Sequence, residues 1–212
     1  MIFTEICKMI AIIDYNMGNP ESVANMLKRT GYGSLITSKP EDISAADKLI
    51  LPGVGAFAAG MDSLNKLGLI DLLNDKILKQ KVPVLGICLG MQLLSEKSEE
   101  GIQCPGLSYV KAETIRFQFP PGGNLKIPHM GWNTVCVKKE NPLFSDMTAD
   151  ARFYFVHSYH VACGDQSDIL ATTVHGVEFV SAIQRDNIFG VQFHPEKSHR
   201  FGMQLLKNFA EL

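Results

Sequence analysis

VPVLGICLGMQLL, residues 82–94, is a short apolar run that turns at two glycines around one cysteine and continues with a helical pattern of apolar residues. A strand that enters a helix through Gly86, Cys88 and Gly90 must turn sharply at the cysteine, and small flanking residues leave the approach to it open. We therefore expect an exposed thiol at the mouth of a sheet, where helix N–H groups favour a thiolate and a nearby oxyanion. The pattern indicates a nucleophile; a small buried cysteine between two packing glycines is the alternative that this stretch leaves open.

The first half of the chain repeats the arrangement of an apolar run followed by a helical pattern. The apolar runs do not alternate with polar residues, which is typical of parallel strands that are covered by helices on both faces. In such sheets, ligands bind beyond the carboxyl ends of the strands. The predicted strands are residues 9–14, 48–53 and 82–87, and the predicted helices are residues 20–30, 56–80 and 90–97.

The second half changes character. Residues 104–192 contain short β-rich stretches separated by Gly, Pro, Asn and Asp turns, which predicts an antiparallel layer joined to the parallel core. A final helix is expected at residues 200–210. The sequence thus predicts an α/β fold with a mostly parallel central sheet, flanking helices and an added antiparallel β layer.

Composition limits the class of protein. With 212 residues, 46% of them hydrophobic, we expect a single domain over residues 1–212, with residues 1–8 as a peripheral extension or the product of an alternative start. A net charge of −2 gives no basic field, so nucleic-acid binding is not expected. No segment approaches about eighteen uninterrupted apolar residues, so no membrane span is expected. Five cysteines without ligand spacing predict no metal site and fit a reducing cytoplasm.

Cysteine catalysis needs a base, and His194 is well placed for it. It follows an apolar strand pattern in FGVQFHPEKSH, so it also falls at the end of a strand. Pro195 stops the strand, and an extended backbone would return Glu196 to the face of the imidazole. A carboxylate there would fix the tautomer of His194 and stabilise its imidazolium. Alone, His-Pro-Glu is more often a turn with a solvated glutamate; beside the predicted elbow it indicates a catalytic pair.

Two further stretches follow predicted strands. In LILPGVGAF, Gly53 and Gly55 allow the backbone to turn an N–H toward a developing negative charge, although a plain strand-to-helix turn fits equally well. In DYNMGNPESV, Asn19 is a good N-cap and Pro20 suits the first helical position, which predicts a helix N-terminus at the carboxyl edge of the sheet. Neither stretch alone distinguishes a ligand site from an ordinary turn.

Together, PGVGAF, GICLGMQLL and GVQFHPEKS, in this order, resemble the motifs of the class I (triad) glutamine amidotransferases. KIPHMGWN, FYFVHSYHV and DYNMGNPESV narrow the resemblance to the glutaminase subunits of imidazole glycerol phosphate synthase and their close relatives. The match runs from about Met9 to the C-terminus. It implies the flavodoxin-like α/β fold of the class I glutamine amidotransferases.

The resemblance also implies roles for individual residues. Cys88 would attack the side-chain amide of glutamine, His194 would protonate the leaving ammonia, and Glu196 would orient His194. Water would then hydrolyse the glutamyl thioester. The resemblance further implies that the oxyanion is held by the backbone of Gly53, Val54, Gly55 and Leu89. It implies that glutamine is bound by Gln92, Glu100, Ser158 and Tyr159.

A partner is implied by the same resemblance. In this family the ammonia passes to a (β/α)8-barrel cyclase, in a heterodimer that makes imidazole glycerol phosphate and AICAR for histidine biosynthesis, and the glutaminase subunit uses no cofactor. The implied docking face carries Asn19, Trp132 and Lys197. Without the resemblance, Trp132, the only tryptophan, would be assigned to the core, and Lys197 would be a solvated charge.

Two departures from the family pattern leave the ammonia acceptor open. The family usually has glycine where Asn16 stands and an aliphatic residue where Pro20 stands. Close relatives with a similar C-terminal sequence instead supply ammonia for an acetamidino sugar of surface polysaccharide. A stand-alone cysteine hydrolase and a catalytically silent scaffold for the barrel are further alternatives, and the intact Cys88, His194 and Glu196 argue against the scaffold.

Overall fold

The computed structural model of the chain describes residues 9–101, 103–119 and 125–212. The predicted extension, residues 1–8, lies outside the described residues. Within the described ranges the strands form one large sheet and one separate two-stranded sheet. No helix in these ranges is long and apolar enough to cross a membrane.

The strands, numbered in chain order, are β1 (Ile10–Ile13), β2 (Ser34–Thr37), β3 (Lys48–Leu51), β4 (Val84–Ile87), β5 (Lys97–Ser98), β6 (Cys104–Pro105), β7 (Ala112–Arg116), β8 (His129–Thr134), β9 (Cys136–Val137), β10 (Arg152–His157), β11 (Tyr159–Cys163), β12 (Ile169–His175), β13 (Val177–Arg185) and β14 (Ile188–Val191). The α-helices are α1 (Pro20–Arg29), α2 (Pro40–Ala45), α3 (Phe57–Lys66), α4 (Ile70–Leu73), α5 (Leu89–Leu93) and α6 (His199–Glu211). A π-helical segment, Asn74–Lys79, continues α4, and 3-10 turns lie at Pro142–Phe144, Gln166–Asp168 and Pro195–Lys197.

The core of the large sheet is parallel, as predicted. Strands β2, β1, β3, β4 and β14 lie side by side in that order. Every residue of β1, β3, β4 and β14 is buried, as expected for strands with helices on both faces. The carboxyl ends of β3, β4 and β14 meet at one edge, which brings the three predicted motifs together.

The antiparallel part mostly continues this sheet. β13 pairs antiparallel with both β14 and β11, and β7, β5 and β6 follow outward. β12 pairs with most of β13, from Val177 to Ile183, and so branches from the sheet, because β14 and β11 also pair with β13; β9 then pairs with β12. β8 and β10 form the separate antiparallel sheet. The predicted fold class is confirmed, with the antiparallel strands mainly beside the parallel core.

The prediction of a single long helix at residues 56–80 is wrong. α3 ends early because Gly68 adopts φ 65° and closes a Schellman motif. The Gly68 N–H donates to the Asn65 carbonyl at 3.0 Å, and the Leu69 N–H donates to the Leu64 carbonyl at 3.1 Å. The chain then restarts as α4 and the π-helical segment.

The helix predicted at residues 90–97 is also too long, because α5 ends at Leu93. The Ser95 hydroxyl donates to the Gln92 carbonyl at 2.7 Å, a local bond that competes with further helix. The Glu96 N–H then donates to the Ala112 carbonyl at 2.8 Å, and the chain enters β5. The helices predicted at the two ends of the chain agree with α1 and α6 to within one residue at each terminus.

Candidate active site

Cys88 occupies a strained turn between β4 and α5. Its φ of 54° and ψ of −108° lie in a region that residues with a side chain avoid, as in the sharp turn of a nucleophile elbow. The turn is held on both sides, since the Cys88 N–H donates to the Val191 carbonyl (2.8 Å) and the Cys88 carbonyl accepts from the Gln92 N–H (3.2 Å). The neighbouring strand β14 and helix α5 therefore fix the direction of the thiol.

The expectation of an exposed thiol is wrong, because Cys88 is only 6% exposed. Its flanking glycines serve close packing of α5 on the sheet. A Cβ on Gly90 would lie 1.8 Å from the Leu51 carbonyl oxygen, and a Cβ on Gly86 would lie 2.7 Å from the Gly90 carbonyl oxygen. The glycines thus let α5 approach β3 and β4 closely.

Gly90→Ala is expected to destabilise the fold severely, because its Cβ would meet main chain that has no room to move. We expect a loss of about 3 kcal/mol or more in the free energy of unfolding. Urea denaturation checks this, with Gly33→Ala as the control, since a Cβ on Gly33 meets no atom within 4 Å. Equal stability of the two variants would contradict the packing role of Gly90.

His194 and Glu196 form a buried pair next to this elbow. His194 Nδ1 and Glu196 Oε1 are 2.7 Å apart. The prediction that an extended backbone brings them together is wrong, because Glu196 lies in the 3-10 turn Pro195–Lys197. The turn is closed by a bond from the Lys197 N–H to the His194 carbonyl (3.1 Å), and the His194 N–H donates to the Tyr154 carbonyl (2.9 Å). The turn therefore holds the imidazole and carboxylate together.

Burial and partners act in opposite directions on His194. Burial lowers the pKa of the imidazole, but hydrogen bonding and charge interaction with Cys88 and Glu196 outweigh it and raise the pKa from 6.5 to about 10. Nδ1 is engaged by Glu196, whereas Nε2 is buried and has no nitrogen or oxygen partner among the described residues. His194 therefore keeps its proton at neutral pH, with Nε2 available to Cys88.

Glu196→Gln is expected to lower the pKa of His194, because a neutral amide stabilises the imidazolium less than a carboxylate does. In NMR titration of histidine-labelled protein, wild-type His194 should titrate near pH 10 and the variant at lower pH. The folded-state pKa lies above the unfolded value, so this stabilisation is fully present below about pH 6.5 and is lost as pH rises through about 10. The difference in unfolding free energy between wild type and variant should shrink over that range.

The matched control for this titration is Glu178→Gln, which removes an exposed carboxylate that pairs with Lys138 at 2.9 Å. It should leave the pKa of His194 unchanged. An equal His194 titration in wild type and Glu196→Gln would contradict the pairing as the cause of the raised pKa.

The loop between β3 and α3 carries Gly53, Val54 and Gly55, the predicted oxyanion residues. The Leu89 N–H, the other predicted donor, donates to the Gly53 carbonyl at 3.3 Å. The Leu89 N–H, which an oxyanion would need as a donor, is thus already bonded to the Gly53 carbonyl. Gly55 adopts φ 111°, which glycine alone adopts readily, and Val54 is 43% exposed. An oxyanion site here requires the Gly53–Val54 peptide to turn over.

The predicted glutamine-binding residues form hydrogen bonds in two different parts of the structure. Gln92 Nε2 donates to the Tyr159 carbonyl at 3.0 Å, and Ser158 precedes Tyr159, so these three lie together. Glu100 Oε2 instead accepts from the Phe57 N–H at the start of α3, at 2.7 Å. The carboxylate of Glu100 therefore holds the helix that follows the Gly53 loop.

Gln192 is a site residue that the sequence reasoning missed. It is fully buried, and its Nε2 donates to Cys88 Sγ at 3.6 Å. Its Oε1 accepts from Gln92 Nε2 at 3.0 Å, so two amides link the Tyr159 carbonyl to the thiol. The available signal was a polar residue between Val191 and Phe193, inside an otherwise apolar run.

Asn19 lies at the N-terminus of α1, as predicted. Its Oδ1 accepts from the Ser22 N–H at 3.1 Å, and Pro20 takes the first helical position. α1 packs against the turn Pro195–Lys197, so Asn19 belongs to a helix that supports the His194 turn.

Trp132 and Lys197 lie around one tyrosine. Trp132 is 45% exposed, so the reading of it as a core residue is wrong. Its ring stacks on His199 at 5.3 Å between centroids and meets Tyr154 edge-on at 6.2 Å. Lys197 Nζ lies 5.9 Å from the centroid of the Tyr154 ring. A half-exposed aromatic surface with a cation thus borders the Glu196 turn, and its docking role stays a prediction.

Two other histidines, His129 and His157, form a buried pair that ends at a backbone carbonyl. His129 Nδ1 and His157 Nε2 are 3.1 Å apart, and His157 Nδ1 lies 2.8 Å from the Tyr159 carbonyl. Burial lowers the pKa of His129 to about 4 and that of His157 to about 3, so both stay neutral. His160 is also buried, with a lowered pKa. Within the described ranges, no group of three or more His, Cys, Asp or Glu side chains could hold a metal ion.

A family model for class-I glutamine amidotransferases matches residues 11–212. Imidazole glycerol phosphate synthase subunit HisH 2 of Methanococcus maripaludis is 55% identical over 203 residues, 96% of this chain and 99% of that protein. The subunit HisH 2 of Pseudomonas aeruginosa is 51% identical, over 96% of this chain and 100% of that protein. Subunit HisH 1 of Campylobacter jejuni is 47% identical, over 96% of this chain and 100% of that protein.

Solved structures share the fold at low sequence identity. A glutamine amidotransferase crystal structure superposes with a TM-score of 0.73 at 17% identity, over 96% of this chain and 99% of the other. PurLQS of Thermotoga maritima gives a TM-score of 0.71 at 15% identity, over 97% of this chain and 99% of the other. At such identities these structures support the fold alone.

Proposed function

Because this chain belongs to the class I glutamine amidotransferase family, we propose that it is the glutaminase subunit of an imidazole glycerol phosphate synthase. It hydrolyses glutamine to glutamate and ammonia, and the ammonia serves histidine biosynthesis. The observation that carries the proposal is the strained Cys88 beside the buried His194–Glu196 pair at 2.7 Å.

The proposed chemistry follows from the two partners of His194. Cys88 Sγ attacks the carboxamide carbon of glutamine as a thiolate, with its proton held by the His194 imidazolium, and the carbonyl electron pair moves to oxygen. As the tetrahedral intermediate collapses, the C–N bond breaks and His194 gives its proton to the leaving nitrogen, which departs as ammonia. Neutral His194 then takes a proton from water, whose oxygen attacks the thioester and releases glutamate. Glu196 stabilises the imidazolium in both steps.

We assign the remaining predicted residues to binding. Gln92, with the backbone of Ser158 and Tyr159, contacts the glutamine substrate, and Glu100 lies at the Gly53 side of the site. The backbone N–H groups of Leu89 and Val54 hold the oxyanion once the Gly53–Val54 peptide has turned over. The supporting observation is the bond from Leu89 N–H to the Gly53 carbonyl at 3.3 Å, which blocks the site in the present conformation.

The proposed partner is a (β/α)8-barrel cyclase, which docks on the face of Asn19, Trp132 and Lys197 to form a heterodimer. Residues 1–212 act as one domain, without a cofactor, in the cytoplasm. The stacked Trp132–His199 pair supports this face, because aromatic residues, tryptophan above all, are enriched at protein interfaces. The relatives described above carry the histidine-pathway name, which favours that pathway over the surface-polysaccharide acceptor.

The test is reconstitution with the barrel cyclase, glutamine and the acceptor substrate of the histidine pathway. We expect glutamate, imidazole glycerol phosphate and AICAR in equal amounts. Glutamate release coupled only to the acetamidino-sugar reaction would overturn the pathway assignment. Full turnover of glutamine by the chain alone would instead favour the stand-alone hydrolase.

A further inference from the structure

Tyr15 carries a buried hydroxyl that nothing in the proposed chemistry uses. The residue follows β1 and is fully buried. Its hydroxyl oxygen has no hydrogen-bond partner among the described residues, and burial raises its pKa. A buried donor without a partner is costly, so a conformation that gives this hydroxyl an acceptor gains free energy.

The hydroxyl lies directly against the loop that blocks the oxyanion site. A Cβ built on Gly53 would lie 2.4 Å from Tyr15 Oη, so the hydroxyl touches the main chain of Gly53. The same Cβ would lie 2.9 Å from Leu89 Cβ and 3.1 Å from the Gly90 nitrogen, so Tyr15 Oη lies on the side of Gly53 that faces the start of α5. The Ser63 hydroxyl donates to the Tyr15 carbonyl, so α3 anchors the backbone of the tyrosine.

We propose that Tyr15 is a positioning residue whose hydroxyl donates to the Gly53 carbonyl after the Gly53–Val54 peptide turns over. This inference rests on the proposed function. Turning the peptide frees the Leu89 N–H for the oxyanion but removes the partner of the Gly53 carbonyl. Tyr15 can replace that partner, because its unpaired donor already contacts Gly53. The exchange leaves neither group orphaned, so the activated loop gains stability from a bond absent in the resting one.

The experiment is Tyr15→Phe in the complex with the barrel cyclase, saturated with its acceptor substrate. Losing one buried hydrogen bond in the activated loop should lower kcat for glutamine hydrolysis by about five- to a hundredfold. KM for glutamine should stay unchanged, since the bond acts on the oxyanion loop in the transition state. The melting temperature should stay equal or rise, because the resting fold loses only an unpaired hydroxyl.

The matched control is Tyr109→Phe. Tyr109 is the other described tyrosine with a buried, unpaired hydroxyl; its carbonyl accepts from Arg185 on β13, and its hydroxyl is not among the three atoms nearest to a Cβ built on Gly53. It should keep wild-type kcat. Wild-type kcat in Tyr15→Phe, a raised KM alone, or equal losses in both variants would overturn the role of Tyr15. A wild-type complex without glutaminase activity would overturn the proposed function, and this inference with it.

Discussion

Cys88→Ala is expected to abolish glutamine hydrolysis, with a loss of at least about a thousandfold in turnover, because no other group can form the thioester. The fold should survive, since alanine removes one sulfur atom from the buried turn and costs about 1 kcal/mol. Glutamate release by the partner-bound variant and its thermal unfolding measure the two effects. Turnover above about one thousandth of wild type would contradict covalent catalysis by Cys88.

The same variant separates ammonia supply from synthesis. Supplied with ammonium salts, the Cys88→Ala complex should still make product, because in the proposed function the synthetic chemistry belongs to the partner. Cys136→Ala, which removes an exposed cysteine of β9, is the control and should keep glutamine-dependent synthesis. If the Cys88→Ala complex fails with ammonium while its barrel still binds acceptor substrate, ammonia supply is not its whole role.

The second large effect concerns activation. The chain alone should hydrolyse glutamine about a hundred- to a thousandfold more slowly than the complex with bound acceptor, because the Gly53 carbonyl occupies the Leu89 N–H at 3.3 Å. One oxyanion donor contributes about 2.7–4 kcal/mol, which matches this range of rates. The partner and its substrate need only bind the turned-over loop more tightly. Steady-state glutaminase assays of chain, complex and acceptor-bound complex measure the ratio.

Gly53→Ala should remove most of this activation. Its Cβ would lie 2.4 Å from Tyr15 Oη and 2.9 Å from Leu89 Cβ, which leaves the loop no room to exchange partners. Gly33→Ala, where a Cβ meets open space, should keep the full activation ratio. A free chain as active as the acceptor-bound complex would contradict the loop as a switch.

The parts of the fold that the sequence predicts are those with a strong local pattern. The runs of β1, β3 and β4 are apolar throughout, which is the pattern of strands covered on both faces. β2 escapes prediction because Ser34–Thr37 is a half-exposed edge strand with polar residues at both ends. The break after α3 depends on the left-handed backbone of Gly68. A single glycine inside a helical pattern is compatible with a continuous helix, so the pattern does not predict the break.

In the site, sequence predicts residue identity better than conformation. Cys88, His194 and Glu196 come together as expected, but the burial of the thiol and its contact with Gln192 depend on residues distant in sequence, which no local pattern specifies. The orientation of the Gly53 peptide depends on a bond to Leu89, a residue far along the chain. The contacts of Gln192 and Tyr15 also join residues that are distant in sequence. Only the structure shows these contacts, because it shows that both side chains carry buried polar atoms.

The proposed function requires Cys88 to be the nucleophile toward glutamine. An electrophilic analogue of glutamine, incubated with the acceptor-bound complex, tests it most directly by peptide mass spectrometry. We predict one label, on Cys88 among the five cysteines, appearing at the rate at which glutaminase activity is lost, and slowed by glutamine. Loss of activity with the label on another residue, or glutamine hydrolysis that persists when Cys88 is fully labelled, would contradict the account.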